Sequence, residues 1–168
     1  MTQSRFGKRG LAMPLLFFVA VACAGGLGAH VTLPQIADWY HALNRPSWTP
    51  PDALFGPAWT VMYLLMALAA TLVWRSYAHA GAERTARTRG LALWWAQIFA
   101  NGIWSPLFFG SHLLGTALVD ILVLWLLILA TLLTFSRIRP VAGWLMLPYL
   151  IWVTYAAALN AAIWHLNG

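Results

Sequence analysis

The chain has 168 residues, of which 61% are hydrophobic and 8% are charged, and its mean hydropathy is +0.71. Soluble domains carry about 25% charged residues, so this composition excludes a water-covered surface and predicts an integral membrane protein. The net charge of +6 does not indicate nucleic-acid binding, because the Lys and Arg residues lie in short clusters between long apolar segments, as membrane topology signals do.

Five apolar segments are long enough to cross a bilayer, which requires about 20 mostly apolar residues in a helix. They predict an all-α, polytopic membrane protein, a single domain made of a bundle of five transmembrane helices. No internal repeat is visible, so an inverted-repeat transporter is not indicated. The predicted spans cover residues 11–33, 54–74, 91–109, 113–135 and 141–165.

The first segment has a second interpretation, because basic residues precede it and Ala22-Cys23-Ala24 is similar to a signal-peptide cleavage site or a poor lipobox. We favour a retained span, since the apolar sequence continues to Ala29. Cys23 is predicted to be a buried thiol. Ala20, Ala24 and Gly28 form a small-residue face for close helix packing, against a partner helix in the same chain or in another.

The connection 34–53 between the first two spans is long and rich in proline and tryptophan. Residues 38–43 are predicted to form a short helix, and Pro50-Pro51 to stiffen the entry into the second span. A stiff aromatic loop at the mouth of a bundle is typical of a lid. The alternative is that the loop anchors the protein at the membrane interface.

Positive charges are distributed unequally between the two sides of the predicted bundle. Nine of the ten lie at the N-terminus, in the second loop or in the last loop, and the other side has only Arg45. In the bacterial cell membrane, where we expect this multi-pass protein, the bias predicts a cytoplasmic N-terminus. The nine are Arg5, Lys8, Arg9, Arg75, Arg84, Arg87, Arg89, Arg137 and Arg139.

Eleven tryptophans are the most informative feature of the composition. Some lie near predicted span ends and fit an interfacial belt; Trp104, Trp125 and Trp152 lie deeper. The residues that fit the belt are Trp74, Trp94, Trp95, Trp144 and Trp164.

Three predicted spans carry aromatic stripes at helical spacing. Amides are costly against lipid, so these stripes should face the bundle interior. There they either line a cavity for a flat, mostly apolar ligand or pack a core whose amides join helices. The stripes are Trp59, Tyr63, Met66 and Ala70 on the second span, Trp94, Gln97, Asn101, Trp104 and Phe108 on the third, and Pro148, Trp152, Ala156 and Asn160 on the fifth.

The residues that carry chemistry form no catalytic motif. The four acidic residues are not spaced as a carboxylate pair, and no two of the five histidines share a helical face, so we expect no metal site and no obligatory cofactor. Asp120 lies inside the fourth span. An intramembrane carboxylate is a functional hypothesis, and the alternative is a buried structural residue.

Four sequence blocks resemble the TspO/MBR family of tryptophan-rich sensory proteins and translocator proteins. WYHALNRPSWTPPDALFGPAWTVMY is similar to the first loop and second helix of that family, NGIWSPLFFG to its third helix, ALVD at 117–120 to its fourth, and PYLIWVTYAAALN to its fifth. The blocks occur in the family's order and cover about residues 39–160.

This resemblance implies a five-helix bundle, often a homodimer in the membrane lipid, with a pocket beneath the first loop. It implies an integral membrane sensory or regulatory protein that binds a tetrapyrrole, protoporphyrin IX or haem. The alternatives are a porphyrin transporter, a light-dependent porphyrin-degrading protein, or a structural adaptor whose aromatic faces only pack a core. We favour a binding or sensory protein over an enzyme.

The resemblance also assigns site residues by motif position. Trp59 and Trp152 are the candidates for any light-dependent degradation. No Lys or Arg follows Tyr155, so the sterol-binding pattern fails and no specific cholesterol role is expected. The ligand-binding residues are Trp59, Tyr63, Asn101, Trp104, Trp152 and Ala156, with Trp39 and Trp48 in the lid.

Overall fold

The computed structural model describes residues 9–76 and 82–168, with side chains from 11 and from 83 onwards. Over these ranges the chain is helical apart from short connections, which confirms the all-α prediction. Arg5, Lys8 and His79 lie outside the described residues. The five α-helices are α1 Arg9–Ile36, α2 Phe55–Arg75, α3 Ala82–Ser105, α4 Leu114–Ile138 and α5 Pro140–Asn167.

Four helices of the described part, α1, α2, α4 and α5, are long and apolar enough to cross a membrane. The five predicted spans therefore correspond to five helices, of which four have the composition of a span. α3 differs because it begins well before residue 91, and its first two turns carry Glu83, Arg84, Arg87 and Arg89.

α3 continues into a π-helical turn, Pro106–Gly110. Ser111 N–H donates to the Pro106 carbonyl at 2.8 Å, and Leu113 N–H donates to the Leu107 carbonyl at 2.9 Å. His112 then adopts a left-handed conformation with φ of 57°, which breaks the helical course. This wide turn reverses the chain into α4 within a few residues.

The helices pack so that α4 contacts α3 and α5, while α1 contacts α2 and α3, and α2 contacts α5. Gly25 and Gly28 allow α1 to approach closely: a Cβ on Gly25 would lie 2.8 Å from the Tyr63 ring, and one on Gly28 would lie 3.3 Å from Ser105 Oγ. The small-residue face of α1 therefore packs against α2 and α3 of the same chain.

Two predictions about individual side chains are wrong. Trp94 does not lie in an interfacial belt; it is fully buried, as its place on the inward-facing stripe of the third span predicts, and donates its indole N–H to the Met66 carbonyl at 3.1 Å. Cys23 is exposed on the outside of the bundle. In a membrane protein both the lipid-facing surface and the core are apolar, so hydrophobicity alone does not say which of them a residue faces. Trp144 and Trp164 are exposed near helix ends, as the belt predicts.

Candidate functional site

A cavity of about 360 Å³ lies between the five helices and the loop 34–53, whose first three residues, 34–36, form the end of α1. Its volume falls within the range of about 300–1,000 Å³ that is typical of small-molecule sites. Most of its wall is apolar, and aromatic rings contribute from four segments of the chain. These rings are Tyr40, Phe55, Trp59, Tyr63, Trp104, Phe108, Phe109, Trp152 and Tyr155.

The wall formed by α2 and α5 contains two tryptophans in mutual contact. Trp59 stacks on Tyr63, one helical turn away, with ring centroids 5.4 Å apart. Trp152 meets Trp59 edge to face at 6.4 Å and Phe55 at 6.0 Å. These contacts hold each ring by its neighbours, so the wall presents a rigid aromatic surface.

A buried hydrogen-bond network joins α2, α3 and α5 beside the cavity. Tyr63 Oη donates to Asn101 Oδ1 at 2.9 Å, and Asn101 Nδ2 donates to Tyr149 Oη at 2.9 Å. Asn101 is 6% exposed and Tyr149 is fully buried. The predicted inward orientation of the Asn101 amide is confirmed, and the amide fixes the Tyr63 ring against the cavity.

A second network orients Trp104. Its indole N–H donates to Asn160 Oδ1 at 3.1 Å, while Asn160 Nδ2 donates to the Leu114 carbonyl at 2.9 Å. The Trp104 ring also stacks on Phe108 with centroids 5.0 Å apart. Because Asn160 is held by a backbone carbonyl, its amide orientation is set, and so is that of the indole.

The loop 34–53 is bound to α5 by side-chain hydrogen bonds. Asn167 accepts from the Asn44 N–H and donates to the Asn44 carbonyl, both at 2.9 Å. Tyr155 Oη donates to the Trp48 carbonyl at 2.8 Å. The loop is therefore attached to the C-terminal half of α5 by polar contacts, two of them paired at Asn167.

Tyr40 of this loop lines the cavity and is 4% exposed. Burial raises the pKa of its phenol above the ordinary value of 10.0, and the nearby Arg45 guanidinium partly opposes this shift. The Arg45 guanidinium carbon lies 4.8 Å from the centroid of the Tyr40 ring. Tyr40 is consequently neutral at physiological pH and offers a hydroxyl and a ring to the cavity.

The structure brings six of the eight predicted ligand-binding residues together on the cavity wall: Trp59, Tyr63, Asn101, Trp104, Trp152 and Ala156. The lid residues Trp39 and Trp48 lie outside the lining. Trp39 stacks on His112 at 4.1 Å, and Trp48 is 46% exposed with its ring against Tyr155. Their side chains hold the loop against the bundle.

Sequence reasoning missed several wall residues. Phe55 precedes Trp59 by four positions, so extending the α2 stripe by one turn would have found it. Asp52 and Tyr40 carry no such signal, because the path of an irregular loop does not follow from periodicity. Tyr155 stands beside the α5 stripe and lines the cavity as well.

Four buried side-chain polar atoms have no hydrogen-bond partner within the described ranges: both amide atoms of Gln97, Asp120 Oδ2 and Trp152 Nε1. Trp152 Nε1 belongs to a wall residue and is a donor without a protein acceptor, an arrangement that a ligand acceptor would relieve. Asp120 Oδ2 is likewise unpartnered. Asp120 itself is not part of the cavity wall, although Ile121 and Leu124 of the same helix are.

These features define a helical membrane protein built around an aromatic, ligand-sized cavity that is bordered by an anchored loop. The family model that describes the TspO/MBR family matches residues 16–165. The chain belongs to the TspO/MBR family, as the four sequence blocks predicted, and is an integral membrane protein.

Its relatives are similar along almost their whole length. The chain is 40% identical over 157 residues to Protein CrtK of Rhodobacter capsulatus, covering 94% of both chains. It is 38% identical over 152 residues to the Tryptophan-rich sensory protein of Cereibacter sphaeroides, covering 90% of this chain and 91% of that one. With the Translocator protein of Sus scrofa it shares 33% identity over 156 residues, 92% and 90% of the two chains.

Proposed function

We propose that this protein binds a tetrapyrrole in the aromatic cavity and acts as a membrane sensor or regulator. The observation that carries the proposal is the pair of stacked ring systems on the wall, Trp59 with Tyr63 and Trp104 with Phe108. Such surfaces suit a flat, polarisable macrocycle. The name of the relative from Cereibacter sphaeroides, a sensory protein, agrees with the sensory role.

The cavity favours recognition of the macrocycle over recognition of a metal at its centre. Of the side chains that ligate haem iron, His, Cys, Met and Tyr, only tyrosine occurs in the described lining. The hydroxyls of two of these tyrosines, Tyr63 and Tyr155, already donate to Asn101 and to the Trp48 carbonyl. We therefore expect protoporphyrin IX to bind at least as well as haem.

The test is a titration of detergent-solubilised protein with protoporphyrin IX, followed by tryptophan fluorescence. Trp59→Phe and Trp152→Phe should each weaken binding by about two- to tenfold, the scale of one aromatic contact. Trp144→Phe is the matched control, because Trp144 is 70% exposed and outside the cavity wall. Linear quenching that is equal in all four proteins would indicate partitioning into detergent and refute the proposal.

We also propose that α3 together with the π-helical turn forms a fifth span. Residues 91–110 contain no Asp, Glu, Lys or Arg. Their 20 residues would extend about 30 Å as a helix, the thickness of a hydrocarbon core. Gln97 and Asn101 make this segment less apolar, and both are buried inside the bundle. With five spans, the charge bias of the loops supports an N-terminus and basic loops on the cytoplasmic side of a bacterial cell membrane.

One observation favours light-dependent porphyrin degradation as a second function. Trp59 and Trp152 contact each other on the cavity wall. An electron-rich indole beside a photoexcited porphyrin can donate one electron to it, which leaves an indole radical cation and a porphyrin radical anion. Illumination of the complex should consume porphyrin faster than illumination of porphyrin alone, and Trp59→Phe or Trp152→Phe should remove the difference. Equal bleaching with and without protein would exclude this function.

A further inference from the structure

Three side chains of the first loop meet at the edge of the cavity and form what we call the rim cluster: His41, Arg45 and Asp52. His41 Nε2 lies 2.6 Å from Asp52 Oδ2. Because an ionised carboxylate only accepts hydrogen bonds, His41 donates in this contact. Arg45 Nη1 lies 3.9 Å from Asp52 Oδ1, which is longer than a hydrogen bond. Within the cluster, the Asp52 carboxylate is therefore bound closely by His41 and loosely by Arg45.

The rim cluster adjoins the aromatic cavity. Asp52 lines both the cavity and a polar surface depression that includes His41 and Arg45. Arg45 also lies over the ring of Tyr40, another cavity residue. A flat molecule seated among the aromatic rings with a polar edge toward the loop would bring that edge to these side chains.

Few other charged residues lie near the rim cluster. Arg45 is the only Lys or Arg in the loop 34–53, and Asp52 is the only charged residue among the described cavity lining. The Arg45 side chain is 28% exposed and that of His41 46% exposed, so both can be reached from solvent. A guanidinium is a planar donor that matches carboxylate geometry.

We propose that the rim cluster selects ligands that carry a carboxylate on a flat aromatic body. Asp52 occupies the carboxylate position on His41 and Arg45; a ligand carboxylate takes its place or joins it on Arg45. This inference rests on the proposed function and deepens it, because the propionate groups of a tetrapyrrole are carboxylates of this kind. Arg45 and His41 bind the ligand carboxylate. The Asp52 carboxylate competes with the ligand for these two side chains and so lowers the affinity for the acid.

The test compares protoporphyrin IX with its dimethyl ester, which has the same macrocycle without the negative charges. Both are titrated against the unaltered protein, Arg45→Gln and Asp52→Asn in neutral detergent. Arg45→Gln should weaken binding of the acid about tenfold, the scale of one charge-assisted hydrogen bond, and leave the ester unchanged. Asp52→Asn should strengthen binding of the acid alone, because it removes a competing negative charge.

Arg139→Gln is the control, since Arg139 is an exposed cation at the start of α5, away from the loop 34–53. Ester affinity reports folding of each variant, so a misfolded protein is recognised by loss of both ligands. Equal weakening of acid and ester by Arg45→Gln, or no change in either, would overturn carboxylate recognition and leave porphyrin binding intact. If the unaltered protein bound neither compound saturably, the proposed function itself would fail and this inference with it.

Discussion

Asn101 illustrates how one amide organises the cavity wall at the scale of single residues. It accepts from one tyrosine and donates to another, so each of its two polar atoms has a partner. Asn101→Leu keeps the approximate volume and leaves the hydroxyls of Tyr63 and Tyr149 without this partner. The free energy of unfolding should fall by about 1–2 kcal/mol, measured by denaturation in mixed micelles.

The control for that substitution lies on the same helix. Phe99 is 72% exposed, so Phe99→Leu should leave stability unchanged. If Asn101→Leu were equally harmless, the tyrosine hydroxyls would not depend on the amide.

Two neighbouring glycines of α1 give a second test at this scale. A Cβ at Gly25 meets the Tyr63 ring, whereas a Cβ at Gly26 meets nothing within 4 Å. The Tyr63 ring is held by Asn101 and cannot move freely, so Gly25→Ala should destabilise the protein by about 1–3 kcal/mol. Gly26→Ala should be neutral or stabilising by up to about 1 kcal/mol. Thermal unfolding in detergent would measure both, and identical midpoints would contradict the close packing of α1 on α2.

At the scale of elements, the attachment of the loop 34–53 to α5 is the contact that covers the cavity edge. Asn167→Ala removes both hydrogen bonds to the Asn44 backbone. We expect amide hydrogen exchange in residues 43–49 to become faster, by roughly tenfold if about 1.4 kcal/mol of local stability is lost. Leu166→Ala, at an exposed neighbouring position, should leave exchange unchanged; an equal acceleration in that variant would point to fraying of α5 instead.

Helix positions were predictable because a bilayer imposes one strong rule: about 20 apolar residues form a helix. The centres of α1, α2, α4 and α5 follow from it. The start of α3 at Ala82 does not, because its charged first turns have the composition of a loop. The π-helical turn at Pro106 was not predicted either. Its Phe108 and Phe109 pack against Trp39 of the loop and against Trp104, and contacts with a distant loop do not follow from local sequence.

The cavity wall was predictable only where periodicity and polarity acted together. Asn101 had to face inward, because an amide is costly against lipid. Trp104 lies on the same face of α3, so its inward direction followed as well. Cys23 had no polar neighbour on its helical face to fix its direction, and its predicted burial was wrong. Trp94 lies on the same stripe as Gln97 and Asn101, so its inward direction was predicted correctly and only its assignment to the interfacial belt was wrong. For the loop, composition indicated a stiff aromatic segment but not that Tyr40, rather than Trp39, would reach the cavity.

At the scale of the whole molecule, the decisive question is whether α3 crosses the membrane. In a Cys23→Ser background, Ser111→Cys and Thr88→Cys place single thiols at exposed positions beyond the two ends of the uncharged segment. A membrane-impermeant maleimide should label Ser111→Cys in intact bacterial cells and Thr88→Cys only after permeabilisation. Identical behaviour of the two variants would mean that α3 does not cross; the reversed pattern would mean that it crosses in the opposite orientation.

The contact between Asn44 and Asn167 also imposes an order in time. The two residues are 123 positions apart, so a ribosome that adds about 5–20 residues per second needs about 6–25 s to make the second after the first. During that interval the loop exists without its anchor. A chain whose synthesis stops before α5 therefore lacks both this contact and the cavity-wall residues of α5, Trp152 and Tyr155 among them.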